Sequence, residues 1–512
     1  MPQIDDTKSA LSEKASFDEC DALQAISGAT DPAQAFTRLS CWSKQAATLQ
    51  ITADLLEDQL LAGGFELLRL MLQHHLNLRA QAEVPLALVE QEKTCETRLS
   101  HRREHKRLYQ SVFGTVELKR MGFGARGIES IHPLDEELNL PKRRYSHPLQ
   151  KRAAKLCGRG PFDEAVEQIQ ETTAANFPKR QLQQVVVEIA QDFEAFYEKR
   201  RESSPQPEET GPLLVVGVDC KGVPKRRTRQ EAQDQRGKRL GKGEKKSKRK
   251  MATVASVHST HPFVRSPQEV VSRLMDPEPV ELEKKRPKAE QRRVWASLHK
   301  SKDELFAEVA EELKQRDPKG EKVVVCVMDG EKALKNRASE HLKKASPGLL
   351  LILDIIHVIE YLWKAAYVFC EEGSQQAHDW VRERLLLILE GKIMDVVREL
   401  QKQIAQWGLT EEIRKPVDTA CGYFSNNIER MQYHKYLKAG LPIGSGCVEG
   451  ACGHLVKDRM ERTGASWDVD GKVAEAVLQI RAIDKSGDFE DYWNFHLSQE
   501  KAYNYDRRWQ PA

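Results

Sequence analysis

Two apolar, β-branched runs, "LLVVGVD" (Leu213–Asp219) and "VVVCVMD" (Val323–Asp329), each end on an aspartate. Short continuous runs of this composition read as strands buried on both faces. Removing an ionised carboxylate from water costs several kcal/mol unless something pairs with it. The cations that follow Asp219 (Lys221, Lys225, Arg226 and Arg227) lie on a loop and fix no such partner. If the two strands are parallel neighbours, their carboxylates converge at the C-terminal edge of the sheet, where sites form in open α/β folds. Carboxylates that close repel and raise each other's pKa. A divalent cation removes the conflict, and Mg²⁺ favours one or two carboxylates plus substrate phosphates.

A third acid would complete a two-metal site, and Glu449 is the candidate. The glycines of "PIGSGCVEG" allow a close approach, Ser445 suits an N-cap, and Glu449 then falls in or near the first helical turn. Each acid also has a plain structural reading. Asp after a strand is common turn chemistry, and Glu in a first turn suits the helix dipole. A third apolar run, Leu349–Leu353, ends on Asp354, which reads as the N-cap of "IIHVIEYLW". His357 follows in that first turn and is expected to be a satisfied core histidine.

A chain of 512 residues should hold more than one domain. Residues 1–50 are weakly patterned. Residues 51–200 read as mainly helical with a short β-hairpin turning at Phe113-Gly114-Thr115. Helices are expected from Ser146, Pro161 and Pro178, the prolines suiting a first turn. The connection before Lys179 and Arg180 fits a helix-turn-helix and, equally, a plain helical hairpin. The polar, proline-containing stretch 201–211 reads as a linker. Beyond it, residues 212–356 read as an α/β core, 357–440 as an α-helical insertion, 441–485 as a last core segment carrying Glu449, and 486–512 as a tail.

Charge is uneven. Lys221 to Lys250 holds 14 Lys/Arg against 3 Asp/Glu, a net of +11. Such a block is a solvated loop or a nucleic-acid contact. The ten cysteines form no C-x-x-C pair, as expected of reduced thiols in a cytoplasmic protein. "MPQIDDTKSALSEK" has no apolar segment of a secretory signal, and Asp354, His357, Glu360 and Lys364 interrupt the most apolar region, so no membrane span is expected.

From about Phe65 onward the chain resembles bacterial insertion-sequence transposases of the ISKra type, DDE transposases with a ribonuclease-H-like core. The resemblance rests on "FGTVELKR", "HPLDEELNLPKRRYS", "FDEAVEQI", "DFEAFYEKR", "VGVDCKGVP", "KRKMATVASVHS", "VMDGEKAL", "LDIIHVIEYLW" and "LPIGSGCVEGACGHLVKDRMERTGASW", all in one order. "GASW" and "GKVAEAVLQIRA" depart from the family pattern, both past Glu449. The resemblance implies that Asp219, Asp329 and Glu449 are the catalytic, metal-holding acids, with Asp354 and His357 near the site. It implies two Mg²⁺ ions, with Mn²⁺ as an alternative, cleavage at element ends, and strand transfer into target DNA by in-line displacement between metal-positioned oxygens. DNA and further copies of the chain on paired ends are the implied partners.

Beside such a site, Lys225, Arg226, Arg227, Lys245, Lys246, Lys248, Arg249 and Lys250 are expected to neutralise phosphates. Lys457 and Arg459, past Glu449, could face DNA, and terminal-repeat recognition is expected in the N-terminal helices, with Lys179 and Arg180. Two rival readings stand: a ribonuclease-H-like nuclease or resolvase that cuts without joining, and a non-catalytic DNA-binding protein derived from a transposase. Joined products discriminate against the first, and loss of an acid would favour the second.

Overall fold

A computed structural model describes residues 21–83, 101–124, 126, 130–202, 210–234, 249–276 and 285–505. Lys245, Lys246 and Lys248 lie outside the described residues. The chain divides into two compact bodies, Met1–Val186 with Trp493–Ala512, and Val187–Tyr492. The division falls ahead of the 201–211 stretch, so the helix Phe193–Glu202 belongs to the second body.

The first body is built on a 30-residue helix, Ala53–Ala82, and a hairpin of β1 (His101–Ser111) and β2 (Gly114–Gly124). The hairpin turns one residue earlier than its sequence suggests. Ser111 pairs with Gly114, whose φ of 115° only glycine adopts readily, leaving Val112 and Phe113 as the loop. Leu76 packs with Val116, Leu118, Leu134 and Leu140 to tie helix to hairpin. Ser146 caps the helix His147–Arg159 through its hydroxyl, and Pro161 directly precedes the helix Phe162–Thr172.

The second body holds a five-stranded mixed sheet: β3 (Leu213–Pro224), β4 (Arg249–Thr260), β5 (Glu290–Ser297), β6 (Val323–Met328) and β7 (Leu350–Leu353), in the order β5-β4-β3-β6-β7. β4 runs antiparallel to both β3 and β5, while β3, β6 and β7 are parallel. Five helices separate β7 from the Glu449 segment, beginning with Ile355–Phe369 and ending with Tyr433–Lys438. They form no separate core. Val325, Val327, Ile352 and Leu353 of the sheet share one apolar cluster with Val358, Leu362, Leu385, Leu400 and Phe424 of these helices. Burial of that cluster at roughly 25 cal/mol per Å² fixes the helical stretch against the strands it follows. Among the described residues no helix is long and apolar enough to cross a membrane.

Candidate active site

β3 and β6 are adjacent and parallel, the arrangement the two acids require. β3 corrects an expectation, because it does not end at Asp219 but runs on to Pro224: β4 keeps pairing past the last β6 rung, with Asp219 opposite Val254 and Lys221 in the strand opposite Ala252 rather than on a loop. Leu213 faces Val323 and Gly217 faces Val327, so the same register carried on two residues puts Asp219 level with Asp329. Side chains alternate along a strand, and Gly217 and Asp219 therefore point to one face. The Glu449 helix lies on that face. A Cβ at Gly217 would come within 2.6 Å of the Val448 Cβ, so glycine is what lets the helix Gly446–Ala451 lie directly on β3. A π-helical turn, Cys452–Lys457, continues it and brings the Cys452 thiol to donate to Asp219 Oδ2 at 3.2 Å. Burial, and then the Asp219 charge, push that thiol well above its ordinary pKa.

Asp219 Oδ1 accepts from the Cys220 N–H at 2.7 Å, and Asp329 Oδ1 accepts from the Glu331 N–H at 2.9 Å. The Asp329–Gly330 turn is gripped from the helical side. Arg430 donates to the Asp329 carbonyl at 3.1 Å, and the Tyr423 ring fills the space a side chain at Gly330 would need. Tyr423 stacks on Tyr361 with ring centroids 4.0 Å apart.

Glu449 keeps different company. Ser445 occupies the N-cap position, but its hydroxyl makes no backbone cap. It lies instead between two carboxylates, bonded to Asp354 Oδ2 and 2.9 Å from Glu449 Oε1. Glu449 as a residue is exposed, yet its carboxyl end turns inward. Desolvation there raises its pKa; Asp354 adds to the rise, while the Ser445 hydroxyl and His357 pull the other way. Asp354 is fully buried and caps the helix Ile355–Phe369 by accepting from the Ile356 N–H at 3.0 Å, as its position in the sequence suggests.

His357 corrects an expectation. Its side chain is 36% exposed and lies 3.5 Å from Glu360 rather than in the core. Arg459 corrects another: it is 4% exposed, and its guanidinium sits over the Trp467 ring at 4.7 Å, so it has no face to offer DNA. Lys457 is exposed. Lys225 and Arg226 are held at the end of β3 by backbone pairing with Trp467, Arg226 remaining exposed and Arg227 half-buried. Arg249 pairs with Glu461, and Lys250 follows it in β4. In the first body, Lys179 pairs with Asp163 at 2.6 Å, and Arg180 is exposed.

Mg²⁺ takes hard oxygen donors, one or two protein carboxylates at a time. Asp219 and Asp329 offer such donors, level with one another and bonded only to neutral N–H and S–H groups. The Glu449 carboxylate is turned to Ser445 and Asp354 instead. Among the described residues no three His, Cys, Asp or Glu side chains are gathered closely enough to hold a metal ion. Sequence reasoning found Ser445 only as a cap and missed Cys452, Tyr423 and Arg430. Nothing local in the sequence marks them, because each acquires its role through a contact distant along the chain.

No protein family matches the chain, and no curated protein does. Among solved structures, the Drosophila P element transposase strand transfer complex is similar at a TM-score of 0.23 and 10% identity, covering 69% of this chain and 81% of that one. A likeness this slight carries no argument about activity.

Proposed function

We propose that the protein is a DDE-type DNA transposase whose second body is a ribonuclease-H-like catalytic core. One observation carries the reading: Asp219, within β3, and Asp329, just past the end of the adjacent parallel β6, fall level in register where the Glu449 helix is seated by Gly217. Asp219 and Asp329 would hold the metal. Bound Mg²⁺ supplies charge stabilisation for the attacking and leaving oxygens of an in-line phosphoryl transfer. Glu449 joins them by swinging its side chain off Ser445, a rotation its exposed position permits. The Cys452 thiol keeps one oxygen of Asp219 oriented, and Arg430 with Tyr423 fixes the backbone of the Asp329 turn. The cations at the end of β3 and the start of β4 would meet the DNA backbone, supplying affinity without sequence preference.

The deciding experiment is Asp219→Asn. Asparagine keeps the size and accepts hydrogen bonds but removes the charge that holds a cation. The variant is expected to fold and to bind DNA ends, yet to lose cleavage and joining in Mg²⁺. An Asp219→Asn protein that still joins ends would reduce Asp219 to a structural residue of β3 and end the catalytic reading.

A further inference from the structure

The 30-residue helix Ala53–Ala82 carries two apolar faces, and among the described residues of the first body only one of them is covered. Gly63, Leu70 and Leu76 are buried, Leu70 with Ile26, Ala29 and Ala35, and Leu76 against the hairpin. Gln73 pins the same side of the helix to β2. Its amide donates to the Glu117 carbonyl at 2.7 Å and accepts from the Glu117 N–H at 2.8 Å. The opposite side bears Leu61, Leu68, Met71 and Leu78, which are 53%, 41%, 52% and 50% exposed. With Gly64 and His75 these residues fall at alternating steps of three and four, the a and d positions of a heptad repeat. Scattered exposed leucines need no explanation, but a contiguous seam on one helix face marks an interaction surface. A heptad seam is shaped for another helix.

The same helix on a second copy is the fitting occupant. Its charges are segregated: Asp54, Glu57 and Asp58 lie near the start, and His74, His75 and Arg79 near the end. A parallel pairing would set like charges beside like. An antiparallel pairing sets Asp58 against the partner's Arg79, although Arg79 also reaches Glu137 within its own chain at 2.8 Å. The antiparallel register leaves no seam position unmatched, because Leu61 meets the partner's Leu78, Gly64 the partner's His75, and Leu68 the partner's Met71. We propose that the exposed seam of Ala53–Ala82 joins two copies of this chain as a two-fold antiparallel coiled coil. The contact is isologous and closes on itself, so it yields a dimer and not a filament. It stands independently of the catalytic reading, because it concerns the first body and needs neither metal nor DNA.

The test is sedimentation velocity on the full chain without DNA or divalent metal, from about 1 to about 100 µM, the range in which a modest protein interface dissociates. A dimer is expected. Leu68→Glu with Met71→Glu places carboxylates against carboxylates at the centre of the seam, and should weaken association at least tenfold. Its melting temperature at a concentration where both proteins are monomeric should match wild type, since both side chains are exposed. Orientation is read from Leu61→Cys with Leu78→Cys after mild oxidation, by mass spectrometry of the linked peptides. Cross-links from 61 to 78 between copies are expected. Links of 61 to 61 and 78 to 78 would overturn the antiparallel register. A wild-type chain that stays monomeric, its seam covered by its own residues, would overturn the proposal. So would a dimer indifferent to the glutamate pair.

Discussion

Two buried acids of the same sheet domain live in opposite surroundings. Glu312, on the helix Lys302–Arg316, is 5% exposed and is clasped by Arg293 and Arg316, the latter at 2.7 Å. Arg293 lies over the rings of Tyr197 and Trp295, 3.7 and 4.5 Å from their centroids. Burial alone would push the Glu312 carboxyl up, but the two guanidinium groups outweigh it and bring its pKa down to about 2. Asp354 is buried more deeply still, and its carboxylate has a hydroxyl, a backbone N–H and the neighbouring Glu449. Among the described residues, Asp219, Asp329, Asp354 and Glu449 have no Lys or Arg ion-pair partner. Glu312 is given its counter-charge by the chain. The other four are left to share neutral donors, the setting that the proposed cation would complete.

The largest effect that tests this contrast is loss of chemistry without loss of fold. Asp329→Asn should lower end cleavage by about 10³-fold, on the scale of removing a group that stabilises transition-state charge. Its melting temperature in the absence of divalent metal should stay at or above wild type, because a source of repulsion is gone. A variant that melts early would show Asp329 to be structural and erase the distinction from Glu312.

Glu312→Ala should do the reverse. Leaving Arg293 buried and unpaired costs about 3–5 kcal/mol, read as a fall in the denaturation midpoint. The pH dependence has a definite sign. The folded pKa lies below the ordinary value of 4.5, so the stabilisation is complete above that value and is lost as pH falls toward about 2. The stability gap between wild type and Glu312→Gln should therefore narrow steadily from pH 4.5 to pH 2. A constant gap would mean the guanidinium groups do not hold this acid in its charged form.

Gly217→Ala sharpens the comparison from the side of packing. The new methyl meets the Val448 Cβ at 2.6 Å, and overpacking of this kind costs about 1–3 kcal/mol. The Glu449 helix is the part that must shift, so cleavage should fall along with stability. Adding Val448→Ala should restore both in part. Recovery of stability without recovery of cleavage would separate the seating of the helix from the chemistry.

How far the sequence carries follows the same physics. The apolar runs leading to Asp219 and Asp329 are legible as strands because a β-branched run closed by an acid is a local signal, and Asp354 reads as a cap for the same reason. That β3 runs on to Pro224 is not legible, because only its pairing with β4 extends it past Asp219. β5 is not legible as a strand. Its sequence, "EQRRVWAS", places Arg293 where an apolar residue would be expected, and it takes Glu312 and Tyr197, outside the strand, with the strand's own Trp295 ring, to make that arginine buriable. Ser445 fails similarly. Its cap position can be read from the glycines around it, but the carboxylate that claims its hydroxyl lies 91 residues away. His357 departs from its expected core position because a polar residue in the first turn of an apolar helix faces core or solvent according to tertiary packing, which periodicity alone does not fix.

Ser445→Ala carries the smallest expected effect and probes the contrast most directly. A hydroxyl has one proton to give, and Ser445 lies within bonding reach of both Asp354 and Glu449. One contact is donated by the hydroxyl. The other needs a proton on an acid, which agrees with the raised pKa of Glu449. Losing a hydrogen bond to a charged group costs about 1.5–3 kcal/mol. The exposed Glu449 can turn to water and recover part of that, so the net loss should be about 1 kcal/mol, with Ser445→Thr close to wild type. Added Mg²⁺ should narrow the gap between Ser445→Ala and wild type, because a cation then takes over the work of separating the acids. If Ser445→Ala instead costs as much as Glu312→Ala, and Mg²⁺ changes nothing, then Asp354 and Glu449 form a structural network like that of Arg293 and Glu312. The contrast between the two surroundings would then fail.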